Sequence, residues 1–139
     1  MDNKFLPADG RISPRFSGIK TFFRLPFASE NKNFKEVDIA ILGVPLDDGV
    51  SFRPGTRFAP ESIRSASSLG RGYSTYHNFN IFDKTKIADA GDIAVVPQNL
   101  KKSHANIKEH TTKILSENCL PILVGGDHSI AIGSIEAVA

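Results

Sequence analysis

Residues 37–44, Val-Asp-Ile-Ala-Ile-Leu-Gly-Val, form a short apolar run rich in β-branched side chains and closed by Pro45. Such a run fits a strand buried on both faces, because a strand with one wet face would alternate polar and apolar residues. Two more strand candidates follow, Lys86–Ile93 and the wholly apolar Pro121–Val124. Helical patterns separate them. Pro60-Glu61-Ser62-Ile63-Arg64 opens the first. Proline is tolerated at a first helical position, where its missing N–H would have had no partner, and Glu61 meets the positive end of the helix dipole. Gly70-Arg71-Gly72 closes that helix, and a loop carrying Tyr73, Tyr76, His77, Phe79 and Phe82 follows. Leu100 to Asn118 reads as the second helix, with Leu100, Ile107, Thr111, Ile114 and Leu115 near one face. Ile130 to Ala139 reads as the start of a third. This alternation predicts an α/β domain with a parallel sheet, helices on both faces and right-handed crossovers. Ligands of such sheets bind beyond the carboxyl ends of the strands. The loops Pro45–Ala59 and Gly125–Ser129 both start there and are expected to share one rim.

Residues 1–35 have a different character. Pro7, Gly10, Pro14, Gly18 and Pro26 interrupt every possible element, yet Phe5, Phe16, Phe22, Phe23 and Phe27 are more aromatic than a disordered tail usually is. An extended arm is expected, lying on the body of the protein or on a neighbouring subunit. Residues 36–139 are expected to be the N-terminal part of the α/β domain, incomplete at its C-terminal end. Three strands buried on both faces leave an apolar edge open, and the last helical segment ends without a Gly, Asn or basic cap. The net charge of +2, with signs interspersed along the chain, offers no footprint for nucleic acid or for an anionic membrane. No stretch approaches the length of a membrane span, and the polar Met1–Lys4 start lacks a signal-peptide core. The single cysteine, Cys119, permits no intramolecular disulfide. A cytoplasmic protein is the expectation.

The sharpest chemical feature is Gly125-Gly126-Asp127-His128-Ser129. Two glycines let the backbone turn tightly out of a strand. The turn delivers an imidazole and a carboxylate to the rim, and both are ligand types for divalent transition metals. One histidine does not make a metal site, so chemistry alone leaves a ligand and a hydrogen-bonded structural imidazole equally open for His128. Asp127, His128 and Ser129 have the residue types of a catalytic triad, but consecutive residues cannot reproduce its convergent geometry. A nucleotide-binding module would need a full Gly-x-Gly-x-x-Gly or Walker pattern, and neither occurs. His104 and His110, six residues apart on one helix, point about 240° apart and cannot share a metal; both are expected to face solvent. His77 reads as a loop contact and Cys119 as a buried, inert thiol. Asp47-Asp48 reads as a turn-forming pair. Arg53 and Arg57 read as loop anchors, and Asp92 as fixing its own loop.

Gly125-Gly126-Asp127-His128-Ser129-Ile130-Ala131-Ile132-Gly133-Ser134 closely resembles the first metal signature of the ureohydrolase family, which includes agmatinase, arginase, guanidinobutyrase and formimidoylglutamase. Gly43-Val44-Pro45-Leu46-Asp47 and Arg53-Pro54-Gly55-Thr56-Arg57-Phe58-Ala59-Pro60-Glu61-Ser62-Ile63-Arg64 resemble the family's N-terminal segment in its agmatinase form. Asp89-Ala90-Gly91-Asp92 resembles a third block, and order and spacing agree over roughly residues 20 to 139. Ala59 stands where relatives often carry Gly. The resemblance implies a three-layer α/β sandwich with a mainly parallel sheet, arginase-like and truncated to its first strands. It implies two Mn²⁺ ions per intact subunit, with His128 as the first metal ligand and no ligand role for Asp127 or Ser129. The ions bridge a hydroxide that attacks a guanidinium carbon and releases urea. The implied substrate is a small guanidino compound, agmatine above arginine, with guanidinobutyrate open, and the implied assembly is a homo-oligomer, a trimer or hexamer. The family's remaining ligands come from later motifs of the form Asp-Ala-His-x-Asp and Ser-x-Asp-x-Asp, and neither occurs in residues 1–139. A non-catalytic remnant is therefore the competing expectation for this chain.

Overall fold

Short apolar runs became strands and the periodic segments between them became helices, in the order β1 (Ile39–Gly43), α1 (Ala59–Ser67), β2 (Tyr73–Ser74), β3 (Phe79–Asn80), β4 (Ile87–Asp92), α2 (Leu100–Ser116), β5 (Leu120–Val124) and α3 (Ile130–Val138). The structure, a computed structural model, describes residues 3–28 and 34–139. Residues 29–33, near the end of the expected arm, lie outside the described residues, as do residues 1 and 2. No helix among the described residues is long and apolar enough to cross a membrane.

The main sheet is parallel and three-stranded, with β1 between β4 and β5. Side chains of β1 and of Val44 just after it alternate between two apolar layers. Ala40, Leu42 and Val44 meet Ile107 and Ile114 of α2, whereas Ile41 meets Phe22, Leu25 and Phe82. Of the expected α2 stripe, Ile107, Thr111 and Ile114 are buried and Leu100 and Leu115 half-buried, and Ser103 joins the buried face. Helix α3 packs on α2, and Gly133 makes the approach possible, because a Cβ there would stand 2.5 Å from the His104 carbonyl oxygen. On the opposite face lie the arm and α1, where Pro60 packs over Gly43 and the Arg64 guanidinium sits 4.3 Å from the Phe22 ring centre. The crossover from β1 to β4 carries α1, and the return over β1 to β5 carries α2. Two crossovers of the same hand running in opposite directions must place their helices on opposite faces, as these are. The expected α/β sheet covered on both faces is thus present.

The segment after α1 was expected to be a loop. It contains a two-residue hairpin, with Tyr73 opposite Asn80 and Ser74 opposite Phe79. Asn78 enters the turn at φ 54, a left-handed conformation that asparagine tolerates better than most residues.

The two edges of the sheet differ. At β4 the arm adds a bridge: the Asp89 N–H donates to the Pro26 carbonyl (3.0 Å) and the Ala28 N–H to the Asp89 carbonyl (2.8 Å). At β5 no strand pairs with the outer edge among the described residues, and Leu120 and Ile122 are 56% and 41% exposed. The Leu120 N–H bonds toward the β1 side, to the Asp38 carbonyl, so Pro121 faces the open edge, the position where a strand proline removes no existing ladder bond.

Candidate functional site

The loop after β1 leaves toward α1 on one face, and the loop after β5 leaves toward α3 on the other. Because β1 and β5 are neighbours, their carboxyl ends diverge into a crevice, the place where open α/β sheets bind ligands. The two rim loops expected from the sequence do meet there.

Both glycines of the β5 loop are required. Gly125 and Gly126 have φ of 88 and 79. A Cβ would stand 2.6 Å from Pro60 Cδ at Gly125, and 2.7 Å from the Val44 carbonyl oxygen at Gly126. Asp127 then turns inward. Its N–H donates to the Leu46 carbonyl at 2.8 Å. Its Oδ2 accepts from the Gly49 N–H at 2.8 Å and its Oδ1 from the Ser129 N–H at 2.8 Å. Burial alone would raise this carboxyl, but the Ser129 and Gly49 hydrogen bonds, with His104 nearby, outweigh it and hold it below the usual carboxylate value. Asp127 therefore staples one rim loop to the other. Gly49 keeps the staple close, since a Cβ there would lie 3.1 Å from both Asp127 Oδ2 and Ser129 Oγ.

Ser129 carries the network further, its Oγ lying 3.1 Å from His104 Nε2. This corrects the expectation that His104 faces solvent: it is half-buried at the margin of the α2 stripe, beside Ser103 and Ile107, where α3 closes over it. His110 is also half-buried rather than exposed. The visible signal in the sequence was the spacing of His104 three residues before Ile107. His128, between the inward Asp127 and the bonded Ser129, is exposed.

The first rim loop is held by its acids. Asp47 is buried, accepts from the Gly55 N–H at 2.8 Å and pairs with Arg57. Asp48 accepts from the Gln98 N–H at 2.6 Å and lies 3.3 Å from Arg57 Nη2. The acidic pair, expected to make turn hydrogen bonds, instead ties the loop to Gly55, Arg57 and Gln98, whereas Arg57 anchors the loop as expected. Among the described residues Arg53 makes no such bridge; its guanidinium sits 5.1 Å from the Phe52 ring centre. Asp92 fixes its own end of β4 through Arg64 Nη1 at 2.7 Å. Cys119 is buried and its thiol is pushed up to about 11 by that burial, so it is no nucleophile at neutral pH.

The described residues contain no group of three or more His, Cys, Asp or Glu side chains able to hold a metal ion. Both Asp127 oxygens are occupied by N–H donors. The residues present fit a metal centre only through a single outward imidazole, that of His128.

The arginase family profile matches residues 37–139. The chain belongs to the arginase family. Guanidinobutyrase from Pseudomonas aeruginosa is 38% identical over 136 residues, which cover 98% of this chain and 43% of that protein. Mitochondrial agmatinase from Gallus gallus is 38% identical over 134 residues, covering 96% and 38%. The structure of proclavaminate amidino hydrolase from Streptomyces clavuligerus superposes with a TM-score of 0.84 at 36% identity, over 91% of this chain and 41% of that one. The fold is that of the arginase family, and the chain spans well under half the length of these relatives.

Proposed function

We propose that residues 1–139 form the N-terminal part of a manganese-dependent hydrolase of guanidino compounds, most like agmatinase, and that His128 is one ligand of its two-metal centre. Residues 1–35 are then an arm, and residues 36–139 the first part of the catalytic α/β domain. The observation that carries this reading is the position of His128: exposed in the crevice between diverging strand ends, on a loop whose neighbouring residues are all tied down. A lone imidazole does not make a two-metal centre, so the other ligands come from sequence outside residues 1–139. Agmatine, hydrolysed to putrescine and urea, is favoured by the agmatinase-like Arg53–Arg64 block; guanidinobutyrate is the alternative substrate. Assembly as a homo-oligomer is supported by the arm, where Ile12, Phe16 and Ile19 are 85%, 80% and 93% exposed.

A second reading is that residues 1–139 have no activity by themselves, since among the described residues no group of three or more His, Cys, Asp or Glu side chains could hold a metal. One experiment separates the two. Residues 1–139 are fused to the C-terminal portion of the Pseudomonas aeruginosa guanidinobutyrase and assayed for urea from agmatine and from guanidinobutyrate. Urea release that His128→Ala abolishes supports the enzyme reading. A folded, manganese-loaded fusion whose activity survives His128→Ala sinks the ligand assignment.

A further inference from the structure

Where the arm crosses α1, two consecutive residues with side chains adopt left-handed backbone, Phe23 (φ 53) and Arg24 (φ 61). That conformation is unfavourable for any residue with a Cβ, and it persists only where surrounding contacts enforce it. Here it turns Arg24 inward. Arg24 is only 9% exposed, its Nη2 donates to the Ser13 carbonyl at 2.9 Å, and its Nη1 has no hydrogen-bond partner. No carboxylate pairs with it among the described residues. A guanidinium does not shed its proton, so this is a buried positive charge with no directly paired carboxylate; the acid it acts on, Asp9, is itself gripped by Arg11.

Above it lies a groove of about 760 Å³ between the arm, the end of α1 and the β2–β3 hairpin. Its charged lining is Arg11, Arg15, Arg24 and Arg71 against Asp9 and Asp83. Four positive and two negative groups give a formal +2, as large as the net charge of the whole chain. Both acids already have partners within the lining. Asp9 is gripped by Arg11 through its backbone N–H at 2.9 Å and its guanidinium Nη2 at 2.8 Å. Asp83 accepts from Asn80 Nδ2 at 3.2 Å. Arg15 donates to the Gly70 carbonyl at 3.1 Å, an uncharged partner. Arg71 is exposed at the mouth.

We propose that this groove binds a small oxyanion, a carboxylate or a phosphate, held by Arg71 over the buried charge of Arg24. A concave wall of fixed positive charge concentrates anions, and a guanidinium matches two oxygens of one anion at once. The site is separate from the His128 crevice and has the opposite preference to one that takes guanidinium cations. The oxyanion has two sources, a free small molecule or an acidic side chain of a second copy of the chain.

The test is equilibrium dialysis of inorganic phosphate against the full chain at constant ionic strength with chloride as control, alongside sedimentation with and without phosphate. Saturable binding near one phosphate per monomeric chain, weakened about tenfold by Arg71→Gln, supports a free oxyanion. An oligomer that phosphate dissociates, and that Arg71→Gln also dissociates, supports the acidic side chain of a second copy. Arg24→Lys keeps the buried charge and should retain binding that Arg24→Gln loses, with circular dichroism reporting whether each variant folds. Absence of both saturable phosphate binding and phosphate-sensitive association in the folded wild-type chain overturns the proposal. So does phosphate binding that Arg71→Gln leaves unchanged.

Discussion

Asp127 and His128 are adjacent, and their side chains do opposite things. The carboxylate is buried and accepts from two backbone N–H groups, while the imidazole is exposed. Substitution should separate the roles. Asp127→Asn places an amide where the charged acceptor faces N–H donors and should cost about 1.5–3 kcal/mol of folding stability. His128→Ala should stay within about 0.5 kcal/mol, as exposed positions do. Urea unfolding of both variants tests the pair of values. Gly126→Ala should cost about 1–3 kcal/mol in the same measurement, because it adds a Cβ at φ 79 against the Val44 carbonyl. The Gly-Gly turn and the placement of its loop on the rim were legible because composition and order carry them, whereas the exposure of His128 was not, since a hydrogen-bonded imidazole was equally open. The inward turn of Asp127 and the contact from His104 were not, since both depend on partners far along the chain.

At the level of elements, Arg64 of α1 binds two acids of β4 that a regular strand would hold on opposite faces. Ile41 pairs with Asp89 but Gly43 with Asp92, so β4 carries one extra residue, with Gly91 at φ 81. The bulge turns both carboxylates to one side. Asp89, fully buried, also accepts from the Phe22 N–H at 2.9 Å, joining helix, strand and arm. Arg64→Ala would leave that charge buried without its partner and should cost about 3–5 kcal/mol in denaturant unfolding. The Asp-Ala-Gly-Asp block was visible in the sequence. That Asp89 is its hub was not, because a bulge is a property of two paired strands. The β2–β3 hairpin escaped for a related reason: two residues per strand are too few to show a period, and only Asn78 marked the turn. Asp47 gives the rim loop a pH dependence. Its hydrogen bond from Arg57, acting against burial, holds the carboxyl below its ordinary value. A lowered native pKa gives stability that is present above the unfolded value of about 4 and is lost as pH falls through the native one. Stability measured against pH should therefore fall less steeply below about pH 4 in Asp47→Asn than in the parent chain.

For the whole molecule, the alternation of short apolar runs with helical periods was enough to read a parallel sheet covered on both faces. The asymmetry of its edges was beyond reach, because it depends on where the arm lies. The arm seals β4 at Pro26–Ala28, whereas β5 has no outer neighbour among the described residues. In hydrogen exchange the Asp89 amide should be among the slow ones and the Leu123 amide, on the open side of β5, among the fast ones. Slow exchange at Leu123 in a chain shown to be monomeric would mean that the edge is covered. The most direct test of the claim that residues 1–139 supply a single ligand to a centre completed elsewhere is manganese stoichiometry by equilibrium dialysis on purified residues 1–139, with urea measured in the presence of agmatine. The expected result is no tightly held ion and no urea, with any weak manganese binding lost in His128→Ala. Two tightly held ions per chain together with urea release would contradict it, since residues 1–139 would then hold a complete centre.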